Sequence, residues 1–211
     1  MSMYPPAPRW VVVVPVKPAA DGKTRLAGAL SDAARVRLVR AMAIDTITAA
    51  AATGAVERVV VVTSDTELSA LLRTAVELLE DPGGGLDAAV LAGARRAREL
   101  DPEAGVAVLL GDLPALRPAD LADALDRATV HERSVVADAA GTGTTMLTAM
   151  PGADLQPHFG AGSAAAHERA GHVRLAVPAD STLRRDVDVA DDLAAVEQLG
   201  VGSATRVVLG W

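Results

Sequence analysis

The chain reads as an α/β protein, a three-layer α/β/α sandwich built on a mainly parallel mixed sheet. Three observations lead there. Short runs of branched apolar residues alternate with longer alanine- and leucine-rich segments. The short runs are continuously apolar, as strands covered on both faces must be. Cap and turn residues punctuate the chain between the two kinds of segment. An alternating β/α order of this kind places helices on both faces of one sheet. A length of 211 residues fits one domain spanning 1–211.

The strands are taken in order. Residues 10–16, 59–63 and 106–110 are almost wholly valine, leucine and alanine, which suits buried parallel strands. Residues 75–79 form a weaker candidate, followed by 134–137, 145–149 and 173–177. The helices lie between them. Ser31 is placed to cap a helix running to about Thr53, with Gly54 as its stop. Residues 86–100, 118–129, 163–170 and 189–199 follow, and Pro118 suits the first turn of its helix. No internal repeat or long linker is evident.

Composition narrows the function. There is no cysteine, so disulfides, zinc–thiolate sites and thiol nucleophiles are excluded. The longest early apolar run, 11–14, is closed by Pro15 and falls far short of the roughly 20 residues of a membrane span. No signal-cleavage pattern follows it, so a cytoplasmic enzyme without a membrane partner is expected. The formal net charge is −7, and the aromatic residues are only Tyr4, Trp10, Phe159 and Trp211. With neither a basic stripe nor a stacking platform, a nucleic-acid partner is not expected.

In open α/β sheets ligands gather beyond the carboxyl ends of the strands, and candidate residues follow the strands repeatedly. After the first come Lys17, Lys23 and Arg25, three cations positioned to neutralise polyphosphate charge. Lys17 and Lys23 are the only lysines among 20 basic residues, which suggests positions needing a compact ammonium. Gly22-Lys23-Thr24 imitates the end of a P-loop, but position 17 lacks the required glycine. Gly111-Asp112-Leu113-Pro114 closes a fully apolar strand. A carboxylate there is costly unless paired or metal-bound, and the following helix does not need it as a cap. Asp186 and Asp188, two residues apart on an extended segment, face one side and repel unless a cation lies between them. Asp191 and Asp192 are read as first-turn acids favoured by a helix dipole. Three carboxylates suit the hard divalent cations that also hold phosphates.

Two glycine-rich stretches complete the set. Phe159-Gly160-Ala161-Gly162-Ser163 opens a helix, where backbone amides can approach an anion and Ser163 can cap the helix or donate to phosphate. Gly141-Thr142-Gly143-Thr144-Thr145 offers hydroxyls and exposed amides of the same kind. His131, His158, His167 and His172 lack metal-ligand spacing and are expected at the surface. No hydrolase triad is evident around Ser163.

With these residues in place, the chain resembles the guanylyltransferases of deazaflavin coenzyme F-420 biosynthesis, which share a fold with nucleotide-diphospho-sugar transferases. The resemblance runs over nearly the whole chain: Val16-Lys17 with Lys23-Thr24-Arg25-Leu26, Gly111-Asp112-Leu113-Pro114-Ala115-Leu116, Val136-Ala137-Asp138 with Gly141-Thr142-Gly143-Thr144, Phe159-Gly160 with Ser163, and Asp186-Val187-Asp188. It implies that Asp112, Asp186 and Asp188 bind one or two Mg²⁺ ions. It also implies that Thr144, Gly160 and Ser163 hold the acceptor phosphate, and that Lys17, Lys23 and Arg25 handle the triphosphate. Asp112 and Lys17 would be the catalytic pair. The family's Leu-Asn at the helix after the third strand is here Leu86-Asp87, so Asp87 stands where the nucleotide base is bound. A carboxylate can accept from guanine N–H groups but cannot donate as an amide does.

The resemblance further implies GTP and a small phosphorylated acid as substrates, with pyrophosphate released. Phosphoenolpyruvate is the expected acceptor, and 2-phospho-L-lactate or a molybdopterin- or sugar-phosphate-type acceptor is the alternative. A homodimer and a hand-off to the next enzyme of the pathway fit the same reading. A non-catalytic nucleotide-binding domain is the rival from another class, and three surviving candidate ligands count against it.

Overall fold

The computed structural model describes residues 8–19, 23 and 31–211. Its centre is a seven-stranded sheet of β1 (Trp10–Pro15), β2 (Val56–Val62), β3 (Glu77–Leu79), β4 (Gly105–Leu109), β5 (Arg133–Ala137), β6 (Thr144–Ala149) and β7 (Val173–Arg174). The order across the sheet is β3-β2-β1-β4-β6-β5-β7. All neighbours pair in parallel except β6, which runs antiparallel to β4 and to β5. The expected mainly parallel mixed sheet is therefore observed. The reversal of β6 has a geometric result: its first residue, Thr144, lies at the sheet edge where β4 and β5 end.

The valines of β1 explain its central place. Val12 and Val14 enter one apolar cluster with Ile47, Leu121 and Leu125, while Val11 and Val13 enter another with Val90, Ala94 and Ala97. Both faces of the strand are covered, so the run has no polar alternation. The first cluster is roofed by α1 (Asp32–Ala51), α2 (Thr66–Leu72) and α4 (Pro118–Ala128); α3 (Leu86–Leu100) covers the second face. A third cluster joins Leu38 and Met42 of α1 to Val187, Leu193, Val196 and Val201. It seats α6 (Ala190–Leu199) and the chain leading into α7 (Ser203–Leu209). A further helix, α5 (Ser163–Arg169), precedes β7.

Local chemistry sets the element ends. Ser31 caps α1, its side chain accepting from the Ala34 amide at 3.3 Å. Pro118 occupies the first turn of α4. Two short helices escape the sequence reading. In α2, Asp65 caps the Leu68 amide at 3.0 Å. In α7 the cap comes from far along the chain, Asp45 of α1 accepting from Ala204 and Thr205 at 3.0 and 2.8 Å. The last strand is shorter than the expected 173–177, because only Val173 and Arg174 pair with β5 and Pro178 soon follows. Among the described residues no helix is long and apolar enough to cross a membrane.

Close contact of α3 with the sheet requires glycine at its packing face. A Cβ on Gly93 would lie 2.3 Å from Val13 Cγ1 and 2.9 Å from Val62 Cγ2, both on central strands that cannot retreat. Alanine gains about 1 kcal/mol of helix propensity over glycine, but overpacking outweighs it. Gly93→Ala is expected to lose about 1–3 kcal/mol, read as a lower urea midpoint at unchanged slope; an equal or higher midpoint would contradict this packing.

Candidate active site

The end of β4 is fixed from both sides. The Leu110 amide donates to the Thr145 carbonyl at 3.2 Å, and the Leu113 amide to the buried Thr46 hydroxyl at 3.1 Å. Gly111 lets the chain pass β1, since a Cβ there would meet Val16 Cγ2 at 3.2 Å. Asp112 is thereby set beyond the strand end.

The second acidic segment is brought to it by backbone. Thr182 is anchored on α4, its amide donating to Asp120 at 2.7 Å and its hydroxyl accepting from the Arg117 amide at 2.9 Å. Arg184 donates to the Ala137 and Asp138 carbonyls at the end of β5. The Val187 amide then donates to the Asp112 carbonyl at 3.1 Å. Asp192 closes the segment by accepting from the Asp188 and Val189 amides, both at 2.8 Å, the first-turn role expected of it.

Asp112, Asp186 and Asp188 consequently converge, each offering an oxygen within 4.8 Å of the others. Among the described residues, Asp112 Oδ1 is buried with no hydrogen-bond partner. Burial, then the charges of Asp112 and Asp188, push Asp186 up to about 7. A cleft of about 190 Å³ opens beside Asp186 and Asp188, lined also by Asp138, Arg185 and Asp192. An orphaned buried oxygen, a carboxyl that resists ionisation and an adjoining space fit a hard divalent cation.

Lys23 supplies the positive charge in this arrangement. Its ammonium donates to Asp112 Oδ2 and, at 2.5 Å, to Asp188 Oδ1. Burial opposes its charge, but the Asp112 charge and the hydrogen bonds to Asp112 and Asp188 prevail and raise its pKa. Lys17 is exposed just past β1. Arg25 lies outside the described residues. The loop after β1 is tied down at Ala19, whose amide donates to Asp65 at 3.2 Å.

Thr144 and Ser163 also meet, the serine hydroxyl donating to the threonine at 3.1 Å. Both are buried, 4% and 3% exposed, whereas Gly160, Ala161 and Gly162, which lead into Ser163, are exposed. Three expectations change here. Ser163 is no cap: Gly162 takes that place with φ +70, and Ser163 begins the helix. The first amides of α5 are engaged, Ser163 with the Gly160 carbonyl and Ala164 with that of Thr142. The Thr142 and Gly143 amides are not exposed to an anion either, because the Asp138 carboxylate takes both at 2.9 Å. Asp87, expected at the base, donates one oxygen to a different task, accepting from the Phe159 amide at 3.0 Å.

Two of the four histidines are the clearest correction, while His158 is exposed as expected. His167 and His172 are buried, at 0% and 3%, because they fill the space between α5 and the sheet rather than facing water. His167 Nδ1 lies 3.0 Å from Thr144 Oγ1, and its Nε2 accepts the His158 amide at 2.8 Å. Its ring packs edge-on against Phe159 with centroids 4.9 Å apart. Ser163 and His167 are four apart, neighbours on one helix face. That spacing was the signal available in the sequence.

The family described as Guanylyl transferase CofC like matches residues 10–209. The chain belongs to the CofC-like guanylyl transferase family. It is therefore a nucleotidyltransferase enzyme, and guanylyl transfer requires a guanine nucleotide and an acceptor. A phosphoenolpyruvate guanylyltransferase of Sanguibacter keddieii is 48% identical over 95% of this chain and 84% of its own length. Another, from Streptomyces scabiei, is 49% identical over 93% and 94%. A putative nucleotide-diphospho-sugar transferase from Desulfovibrio desulfuricans G20 superposes with a TM-score of 0.71 at 15% identity, covering 95% and 94% of the two chains. The 4-diphosphocytidyl-2C-methyl-D-erythritol synthase gives 0.60 at 15% identity, over 91% and 98%. These two share the fold of the guanylyl transferase family, the nucleotide-diphospho-sugar transferase-like α/β sandwich.

The elevated Asp186 pKa has a defined sign for cation binding. A proton on Asp186 competes with the metal, so affinity falls as pH drops below about 7. Titration with Mn²⁺ alone, followed by electron paramagnetic resonance, is expected to show roughly ten-fold weaker binding at pH 6 than at pH 8. Asp186→Asn should flatten that dependence; a flat profile in the unaltered protein would contradict the assignment.

Proposed function

We propose that this enzyme transfers GMP from GTP to phosphoenolpyruvate, releasing pyrophosphate and forming enolpyruvoyl-2-diphospho-5'-guanosine for coenzyme F-420 biosynthesis. The observation that carries the reading is the convergence of Asp112, Asp186 and Asp188 at the end of β4, beside the Thr144–Ser163 hydroxyl pair at the start of the reversed strand. The choice of acceptor is supported by relatives named phosphoenolpyruvate guanylyltransferase at 42–49% identity. In the reaction a phosphate oxygen of the acceptor bonds to the α-phosphorus of GTP as the bond to the pyrophosphate oxygen breaks. The nucleophile is already anionic near neutral pH, so no strong general base is needed. The physical difficulty is the approach of two anions.

Asp112, Asp186 and Asp188 would hold Mg²⁺, one ion or two, which when bound supplies charge neutralisation for the phosphates. Lys17 stands past β1 as a compact charge for the α-phosphate region. Lys23, released from Asp112 and Asp188, would join Arg25 at the departing pyrophosphate. Thr144, Ser163 and the Gly160 amide orient the acceptor phosphate. Because the two hydroxyls are buried, the acceptor reaches them through a local rearrangement. Asp87 keeps its second oxygen for guanine N–H donors. The enzyme is assigned to the cytoplasm, and a homodimer and transfer of the product to the next enzyme are consistent with this reading.

A pyrophosphate-release screen tests it, pairing GTP, ATP and CTP with phosphoenolpyruvate, 2-phospho-L-lactate and phosphoglycerate. GTP with phosphoenolpyruvate should turn over fastest; preference for phospholactate would replace the acceptor. Asp112→Asn and Asp188→Asn should lower kcat by at least about 100-fold with little change in Tm. Turnover within a few-fold of the parent would remove the metal assignment. Thr144→Val should raise KM for the acceptor about ten-fold and leave KM for GTP in place. Lys17→Arg should impair kcat, since a guanidinium fork does not replace a point charge.

A further inference from the structure

His167 has no part in the proposed transfer as described so far, yet it is fully buried beside Thr144. Its hydrogen bonds define its chemistry. The His158 peptide N–H can only donate, so Nε2 of His167 must be the unprotonated nitrogen. A neutral ring then carries its proton on Nδ1, and that proton points at Thr144 Oγ1, 3.0 Å away. Ser163 donates to the same oxygen at 3.1 Å. Thr144 Oγ1 thus accepts twice, which uses its lone pairs and leaves its own O–H proton for a third partner.

The surroundings keep this arrangement in one state. Burial, then the nearby His172 and His158, lower the His167 pKa to about 4; Asp87 is the acid that acts in the opposite sense. His172 stands at the His167 carbonyl, its Nδ1 at 3.1 Å, and feels the positive charge of Arg133. The imidazole therefore stays neutral through the physiological range, and a positive His167 would have no acceptor for its second N–H, which faces a peptide N–H. The ring also steadies the loop above, through the His158 amide and the edge of Phe159.

We infer that His167 is a positioning residue for the acceptor: its Nδ1–H and the Ser163 hydroxyl together turn the Thr144 hydroxyl into a dedicated donor to an anionic oxygen. The inference rests on the assignment of Thr144 and Ser163 to the acceptor phosphate. It supplies the reason a buried threonine serves an anion, since a hydroxyl whose lone pairs are already engaged has its proton oriented before the phosphate arrives. It also makes the pocket selective for an acceptor-only group such as phosphate over a ligand that must donate.

The experiment has two arms. In steady-state kinetics, His167→Gln keeps an acceptor near the His158 amide and removes the donor to Thr144; it should raise KM for phosphoenolpyruvate about ten-fold with KM for GTP unchanged. His167→Asn restores an N–H at the Nδ1 position and should recover most of that loss. Unchanged acceptor KM in His167→Gln, or equal loss for both substrates in both variants, overturns the inference. Whatever the variants do, ¹⁵N-histidine NMR of the unaltered protein reads the tautomer directly: Nδ1–H with bare Nε2 from pH 5.5 to 8 is expected, and an Nε2–H or doubly protonated ring overturns it. A raised acceptor KM in Thr144→Val beside an unaffected His167→Gln leaves the acceptor site standing and removes only the histidine's part. No effect in Thr144→Val removes the acceptor site itself.

Discussion

Repulsion among three carboxylates is the constraint around which this end of the molecule is organised. Left to themselves, Asp112, Asp186 and Asp188 would move apart or take up protons. They are kept within 4.8 Å because their backbones are tied to elements that cannot move. The Val187 amide bonds the Asp112 carbonyl, and Val187 itself is buried in the third apolar cluster. Thr182 and Arg184 hold the preceding turn to α4 and to the end of β5. Core packing thus opposes electrostatics, the Lys23 ammonium offsets part of the repulsion, and what remains favours further positive charge.

The same logic explains why the sheet is mixed. Parallel strands deliver only their C-terminal residues to the functional edge. Reversing β6 between β4 and β5 brings a strand's opening residue there as well, and Thr144 comes with the turn that precedes it. That turn is made by Asp138 accepting two successive amides. Gly143 is needed because a Cβ would sit 2.5 Å from the carboxylate oxygen. The carboxylates beyond β4 and the Thr144–Ser163 pair therefore lie toward the same end of the sheet, and Asp87 of α3 is linked to Phe159 there.

How far the sequence displayed this depends on the kind of interaction. Strands β1, β2 and β4 were plain because burial on both faces demands unbroken apolar runs. Asp112 was plain because nothing in local packing asks for an acid there. The helix α7 was hidden because its cap, Asp45, lies some 160 residues earlier in the chain; α2 carried an ordinary cap at Asp65 and could have been found. His167 and His172 misled because they were weighed as metal ligands or triad members and not as buried hydrogen-bonding groups. The role of His167 depends on β6 and α5 packing together, and only its spacing from Ser163 was local. The engagement of Lys23 with two distant aspartates, 89 and 165 residues away, left no trace in local pattern.

That last contact alters the thermodynamics of loading the pocket. Lys23 already contributes one positive charge, so on the proposed reading the arrival of a divalent ion would be an exchange and not an addition. Evicting the ammonium while admitting the ion would change the local charge by a single unit, and part of the dehydration cost would already have been met when the chain folded. The ammonium that leaves stays tethered to the same backbone, within reach of whatever anion accompanies the incoming ion.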